Sequence, residues 1–306
     1  MNRAPAEGVR SLVDALAWLA PRRGRTVVVA VTGRALDDTA LGASFADDVA
    51  FLWCAGLRLV VVHGDGPHLG AELERRGLDG EHLGAEPRSR GPAGESAAAA
   101  AQGRAAADVV RMVLAGRVQR DLVGLINRHG PLAFGLTGED GTVLTAVRDT
   151  AAPGSTPGGR ITRVRPGLVR TLLADGRVPV VSPIAYAAEG GPGHRVDAGA
   201  AAGALAGALG ADALVLLTDG LEGAPAGRLT ARQGEKLLPD LSGAAAAALA
   251  CCLAAVRAGA GAAHLVHAWA AHALLTEIAT EHGTGTVVLP DADDAAGQRS
   301  GAHCHH

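Results

Sequence analysis

Leu57-Arg58-Leu59-Val60-Val61-Val62-His63-Gly64-Asp65-Gly66-Pro67 decides the fold of this chain. Its aliphatic run does not alternate with polar residues, so it reads as a strand buried on both faces. Glycines close it, and glycine lets backbone N–H groups approach a ligand. A helical pattern follows from Leu69 to Arg76. Its N-terminus would add a partial positive charge at the turn. Strand, glycine turn and helix make an anion site, yet Asp65 puts a carboxylate where an anion would sit.

The pattern recurs on either side. Thr26 to Val31 reads as a buried strand turning at Thr32-Gly33-Arg34. Leu132 to Gly135 is a short strand into Leu136-Thr137-Gly138-Glu139-Asp140-Gly141, Val178 to Val181 another, and Ala213 to Leu217 one that closes on Thr218-Asp219. His264 to Val266 and Gly285 to Leu289 complete the strands. Helical spacing predicts helices over Val9–Leu19, Leu41–Ala55, Asp108–Asn127, Leu168–Ala174, Ala198–Leu209, Ala244–Arg257 and Ala271–Glu281. Arg88 to Gly103 reads as a loop, as does Ala151 to Gly159. Alternation of this kind predicts an α/β fold, a three-layer α/β/α sandwich with a largely parallel central sheet. Ligands bind such sheets beyond the strand C-termini.

Bulk properties narrow the function. The 306 residues carry a formal net charge of −3, which argues against nucleic-acid or anionic-membrane partners. Lys236 is the sole lysine; arginine supplies the remaining fixed cations. Cys54, Cys251, Cys252 and Cys304 fit neither a zinc knuckle nor a disulfide framework, so a cytoplasmic location is expected. Met1 to Pro21 lacks the pattern of a signal peptide. Ala244 to Ala263 is long and apolar, but Arg257 interrupts it and alanine dominates, so a buried helix is expected rather than a membrane span. No metal site is expected. His264, His267 and His272 read as core or partner-facing residues, and Cys251-Cys252 as packed thiols. His303-Cys304-His305-His306 falls in a tail, 293–306, expected to be disordered.

Six segments in order carry a resemblance. They are Ala43–Val49, Val60–Pro67, Met112–Val118, Gly135–Gly141, Leu216–Asp219 and His272–Glu277. Together they resemble the amino acid kinase superfamily, and within it the N-acetylglutamate kinases, over roughly residues 10–290. The resemblance implies an N-terminal helix (1–24), an N-lobe on the amino-acid side (25–185) and a C-lobe on the nucleotide side (186–292). It implies ATP with Mg²⁺ as cofactor and phosphoryl transfer to a carboxylate. It places substrate and phosphate contacts on Gly33, Arg34, His63, Gly64, Gly66, Gly138 and Arg195, and nucleotide-side contacts on Thr218 and Asp219. His272, Glu277 and Gly285 match the arginine-inhibited, hexameric branch, which implies an arginine-type effector and a homodimer or higher homo-oligomer.

The family's charged positions are altered here. Its first-strand lysine falls on Ala30, and its late lysine on Ala248. The middle glycine of its His-Gly-Gly-Gly-Pro turn is Asp65, and the lysine of its Gly-Leu-Ser-Gly-Lys-Asp-Gly turn is Glu139. Its substrate arginine falls on Ala100, and its organising aspartate on Gly199. Phosphoryl transfer rests on neutralising charge around the phosphates. A carboxylate about 4 Å from a phosphate charge costs roughly 4 kcal/mol at an effective dielectric near 20. Asp65, Glu139, Asp140 and Asp197 are therefore the candidate residues of a remodelled cleft for a small amino-acid-like ligand, cationic, neutral or metal-bound. A cleft whose acids are merely solvated, a non-catalytic regulatory subunit and a divergent carboxylate kinase all stay open at this point.

Overall fold

The computed structural model describes residues 15–66, 68–78, 93–149, 158–191, 193–280 and 283–292. The strands are β1 (Thr26–Val31), β2 (Arg58–His63), β3 (Ala133–Thr137), β4 (Leu144–Arg148), β5 (Gly159–Val164) and β6 (Val178–Ser182). Then come β7 (Ile184–Ala187), β8 (His194–Arg195), β9 (Ala213–Thr218), β10 (Gly227–Thr230), β11 (Ala263–His267) and β12 (Thr286–Leu289). The main sheet runs β10-β12-β11-β9-β1-β2-β6-β3, and only the β11–β12 pair is antiparallel. β1 lies between β2 and β9, with Val29 level with Val61 and Val215.

The opening strand behaves as its composition requires. Leu59 and Val61 pack into one core, together with Phe45, Val49 and Leu52 of helix α1 (Thr39–Cys54). Val60 and Val62 face the opposite core. That core includes Ala201, Ala202 and Leu205 of a later alanine-rich helix (Ala198–Leu209). A strand covered by helices on both sides has no wet face, which is why polar alternation is absent.

Besides a short helix at Arg34–Asp37, the remaining α-helices, in chain order, are α2 (His68–Arg75), α3 (Ala93–Arg111), α4 (Gln119–Asn127), α5 (Gly167–Ala174), α6 (Ala198–Leu209), α7 (Ala231–Leu237), α8 (Gly243–Arg257) and α9 (Ala273–Ala279). α8 buries Leu249, Cys252, Leu253 and Val256 against the sheet, and no described helix is long and apolar enough to cross a membrane.

Three expectations need correction. Residues 93–103 are helical, not a loop: they open α3. Alanine needs no amphipathic period to form a helix, because it loses no side-chain entropy there. The helix expected over Asp108–Asn127 spans α3 and α4 and passes through a π-helical turn at Met112–Val118. A second sheet, β5-β4-β7-β8, was not foreseen. Its strands are short, and β8 has two residues, too few for a period to register. Residues 9–14, 88–92, 151–157 and the tail from 293 lie outside the described residues, as does Cys304.

Candidate functional site

The C-terminal ends of β1, β2, β3, β6 and β9 converge on one edge of the main sheet. Beneath that edge lies a network of neutral side chains, bounded by the Arg120 guanidinium, which donates to Gln119 Oε1 at 2.6 Å. His63 ends β2 and is fully buried. Its Nδ1 lies 2.8 Å from the Gly64 carbonyl and its Nε2 2.8 Å from the Ser182 hydroxyl on β6. These partners fit the neutral ring with the proton on Nδ1, donating to the carbonyl and accepting from the serine. Burial pushes the His63 pKa down to about 4, against a weaker upward pull from the Gly64 hydrogen bond and Asp65. Gln119, also buried, offers Nε2 to the Leu136 and Val180 carbonyls at 2.6 and 3.0 Å and to Ser182 Oγ at 2.9 Å. It stands where the π-helical turn gives way to α4. Gln119 thus ties the helical layer to β3 and β6.

Above this floor the turn residues form an open cleft of about 390 Å³, lined by Thr32, Gly33, Gly64, Asp65, Gly66, Arg195, Val196, Asp197 and Ala198. Asp65 does not face an anion there. Its carboxylate is gripped by the Arg195 guanidinium from β8: Nε donates to Oδ1 at 3.0 Å and Nη2 to Oδ2. Burial alone would lower the Arg195 pKa, but Asp65 and then Asp197 hold it above its ordinary value. Asp197 is the N-cap of α6 and accepts from Ala200 N at 2.7 Å. Cys251 lies against the same carboxylate, with its thiol 3.9 Å from Oδ1. Burial first, and Asp197 second, push that thiol up to about 12, so it is no nucleophile.

The second acid is answered in the same way. Glu139 follows β3 and pairs with Arg111 at the end of α3. Gly193 packs beside it, and only glycine fits there, since a Cβ would sit 2.7 Å from the Ala185 carbonyl. Asp140 turns inward on its own loop, accepting from Thr137 N at 2.6 Å and Thr137 Oγ1 at 3.1 Å. Gly138 has no room for a side chain either, as its Cβ would lie 2.6 Å from the Ile184 carbonyl. At the end of β9, Asp219 accepts from the Trp269 indole N–H and closes over Gly33 (φ +62°), whose Cβ would fall 2.2 Å from Asp219 Oδ2. Thr218 offers its hydroxyl to the Asp219 carbonyl at 3.4 Å.

The structure therefore gathers Gly33, Gly64, Asp65, Gly66, Arg195 and Asp197 in one cleft. It sets Glu139 beside that cleft with a partner of its own and assigns Asp140 to a turn. The Arg34 side chain lies outside the described residues. Arg111, Gln119, Ser182 and Trp269 were not singled out in the sequence. No local pattern marks them, because their partners come from distant segments.

The three histidines each take a separate partner. His264 Nδ1 lies 2.7 Å from Glu277 Oε1, His272 Nδ1 lies 2.6 Å from Asp48 Oδ1, and the His267 ring packs on Trp269. Among the described residues no group of three or more His, Cys, Asp or Glu could hold a metal ion. Glu277 also accepts from Thr284 N and Gly285 N at 2.9 and 3.3 Å. It lines a second cavity of about 450 Å³ with Trp18, Arg22, Arg25, Arg228 and His264, among others. His272 does not line that cavity.

Comparison with known proteins matches residues 25–220 to the amino acid kinase family. The acetylglutamate kinase of Streptomyces avermitilis is 45% identical over 92% of this chain and 93% of its own length. That of Acidothermus cellulolyticus is 47% identical over 92% and 96%. Among solved structures, the N-acetylglutamate synthase of Neisseria gonorrhoeae in complex with coenzyme A and N-acetyl-glutamate superposes with a TM-score of 0.68 at 22% identity. The match covers 93% of this chain and 64% of the synthase. The carbamate kinase of Giardia lamblia bound to AMP-PNP gives 0.58 at 17% identity, over 88% and 99%. At these identities the structural matches speak to the fold.

Proposed function

This chain belongs to the amino acid kinase family, and from that premise we propose an acetylglutamate-kinase-like protein whose phosphoryl-transfer cleft is refitted. It binds, or converts, an amino-acid-derived small molecule in a biosynthetic pathway, with ATP-dependent acyl-phosphate formation weak or absent. One observation carries this reading. The acid that replaces a turn glycine, Asp65, occupies the guanidinium of Arg195, so that cation is already neutralised. Glu139 does the same to Arg111, and the one lysine of the chain, Lys236, lies on α7 outside the cleft lining. A triphosphate entering here would meet carboxylates before free cations. Positioned cations are what the chemistry needs, and removing one costs on the order of 10²–10³ in rate at comparable charge-stabilising sites.

The test is an acyl-phosphate trapping assay with Mg-ATP and N-acetylglutamate, run beside calorimetric titration of each ligand. The expected result is turnover at least about a thousandfold below that of the Streptomyces avermitilis relative, with weak Mg-ATP binding. Turnover within about tenfold of that relative would establish a divergent carboxylate kinase instead. Arg195 and Arg111 would then have to leave their acids when substrate arrives.

A second reading, a non-catalytic arginine-sensing subunit working as a homo-oligomer, draws on the cavity lined by Trp18, Arg22 and Glu277. Its support is limited by the Glu277 carboxylate, which already serves His264 and two backbone N–H groups and is almost wholly buried. L-Arginine titrated into wild-type protein and Glu277→Gln, with mass measured by light scattering, decides it. Binding lost in the variant supports this reading, and no binding to wild type ends it.

A further inference from the structure

The Asp65–Arg195 pair has a chemistry of its own. A carboxylate and a guanidinium held side by side in an open cleft are the complement of a zwitterion. We propose that this pair is the recognition element for the free α-amino and α-carboxylate groups of an unacylated amino acid, with Asp65 taking the ammonium and Arg195 the carboxylate. The inference deepens the reading of a refitted cleft and rests on it.

Several observations converge on that assignment. Both side chains are partly open, at 23% and 25% exposure, so a ligand reaches them without unfolding. Arg195 spends Nε and Nη2 on Asp65, and Nη1 makes no hydrogen bond among the described residues. A guanidinium has five N–H donors, so one edge of the fork remains for a second carboxylate. Asp65 uses one lone pair on each oxygen and keeps others for an ammonium. Asp197 lines the same cleft, so two carboxylates surround one guanidinium. That excess of negative charge penalises an N-acylated dicarboxylate, whose nitrogen is neutral and whose charge is −2. It favours a ligand that brings an ammonium. Gly33, Gly64 and Gly66 line the same cleft without side chains of their own.

The Glu139–Arg111 pair is a poorer candidate for the same role. It bridges α3 to the loop after β3, does not line the cleft, and Gly193 closes against it. It positions the wall from which β8 presents Arg195.

Calorimetry on the full chain with matched pairs tests the proposal: L-glutamate, L-ornithine and L-leucine, each against its Nα-acetyl derivative. In at least one pair the free amino acid is expected to bind about tenfold or more tightly than the acetyl form. Asp65→Asn keeps the shape and removes the charge. It should bring that preference below about threefold while the thermal midpoint stays within a few degrees. Arg195→Gln should weaken both members of the pair. The proposal is overturned if the acetyl form binds as well or better in every pair, if no free amino acid binds at 10 mM, on the order of the weakest specific affinities, or if Asp65→Asn leaves the preference intact. The trapping assay reads the refitted-cleft proposal separately: acetylglutamate turnover within about tenfold of the Streptomyces avermitilis relative would sink that one, and the pair preference decides this one.

Discussion

The floor of the cleft and its rim lie two residues apart, His63 at the end of β2 and Asp65 in the turn that follows, and obey different physics. At the floor, His63 is buried and neutral, its partners are the Gly64 carbonyl and the Ser182 hydroxyl, and Gln119 engages the same serine. At the rim, Asp65 and Arg195 are charged, about a quarter exposed and hold each other. A buried polar group costs free energy unless it is paired, so the floor tolerates few changes. A partly exposed ion pair contributes little to stability, because water competes with both partners. The floor is therefore an element of the fold, and the rim is free to carry function. The same contrast appears at the second turn, where Asp140 caps its own loop while Glu139 looks outward to Arg111.

The sharpest way to break the comparison is at Gln119. Gln119→Leu removes a donor from two buried carbonyls and from Ser182, and should cost about 3 kcal/mol. Denaturant unfolding reads it; a loss below about 1 kcal/mol would make the floor as dispensable as the rim. His63 gives the next effect, through pH. Its folded pKa of about 4 lies below the unfolded value of 6.5, so the unfolded chain takes up its proton first as pH falls. The stability it confers is whole above pH 6.5 and is lost on descending toward pH 4. From about pH 8 to about pH 5 that loss comes to about 2 kcal/mol. His63→Gln, which can still donate to Gly64 and accept from Ser182, should lose that much less over the same range. Parallel pH curves for the two proteins would refute the assignment.

Legibility in the sequence follows the same divide. β1, β2 and β9 could be read directly, because double-sided burial writes an unbroken aliphatic run into five or six residues. α8 was separable from a membrane span by Arg257, which in the structure bonds Glu235 at 2.9 Å. α3 was not legible: alanine forms a helix without announcing which face is buried. Nor were the partners of the new acids. Asp65 and Arg195 are 130 residues apart and Glu139 and Arg111 are 28 apart, so their pairing exists only once β8 and α3 have been placed by the sheet. From the chain alone, Asp65 and Glu139 read as negative charge added to the cleft, with no partner fixed for either. The fold shows each answered by an arginine, which changes the cleft from repulsive to dipolar.

Rebalancing the rim sharpens the comparison from the other side. Asp65→Gly with Glu139→Lys would release Arg195 and Arg111 and add one cation near the cleft. Mg-ATP affinity should rise about tenfold, equivalent to about 1.4 kcal/mol, with little change in the unfolding midpoint. Unchanged nucleotide affinity would mean that these two acids are not what keeps polyphosphate out.

The smallest expected effect is the most discriminating. Asp65→Asn removes the charge from a bidentate pair whose members remain partly in water. Its cost to folding should be about 0.5 kcal/mol, within the range for exposed pairs. If thermal and denaturant unfolding instead showed a loss of 3 kcal/mol or more, of the order expected when a buried pair is broken, Asp65 would belong with His63 as part of the floor. A small loss, together with a changed ligand preference, is what a recognition element should give. Its charge is retained for what it meets from solvent, and the strands beneath it stay in place whether or not it is there.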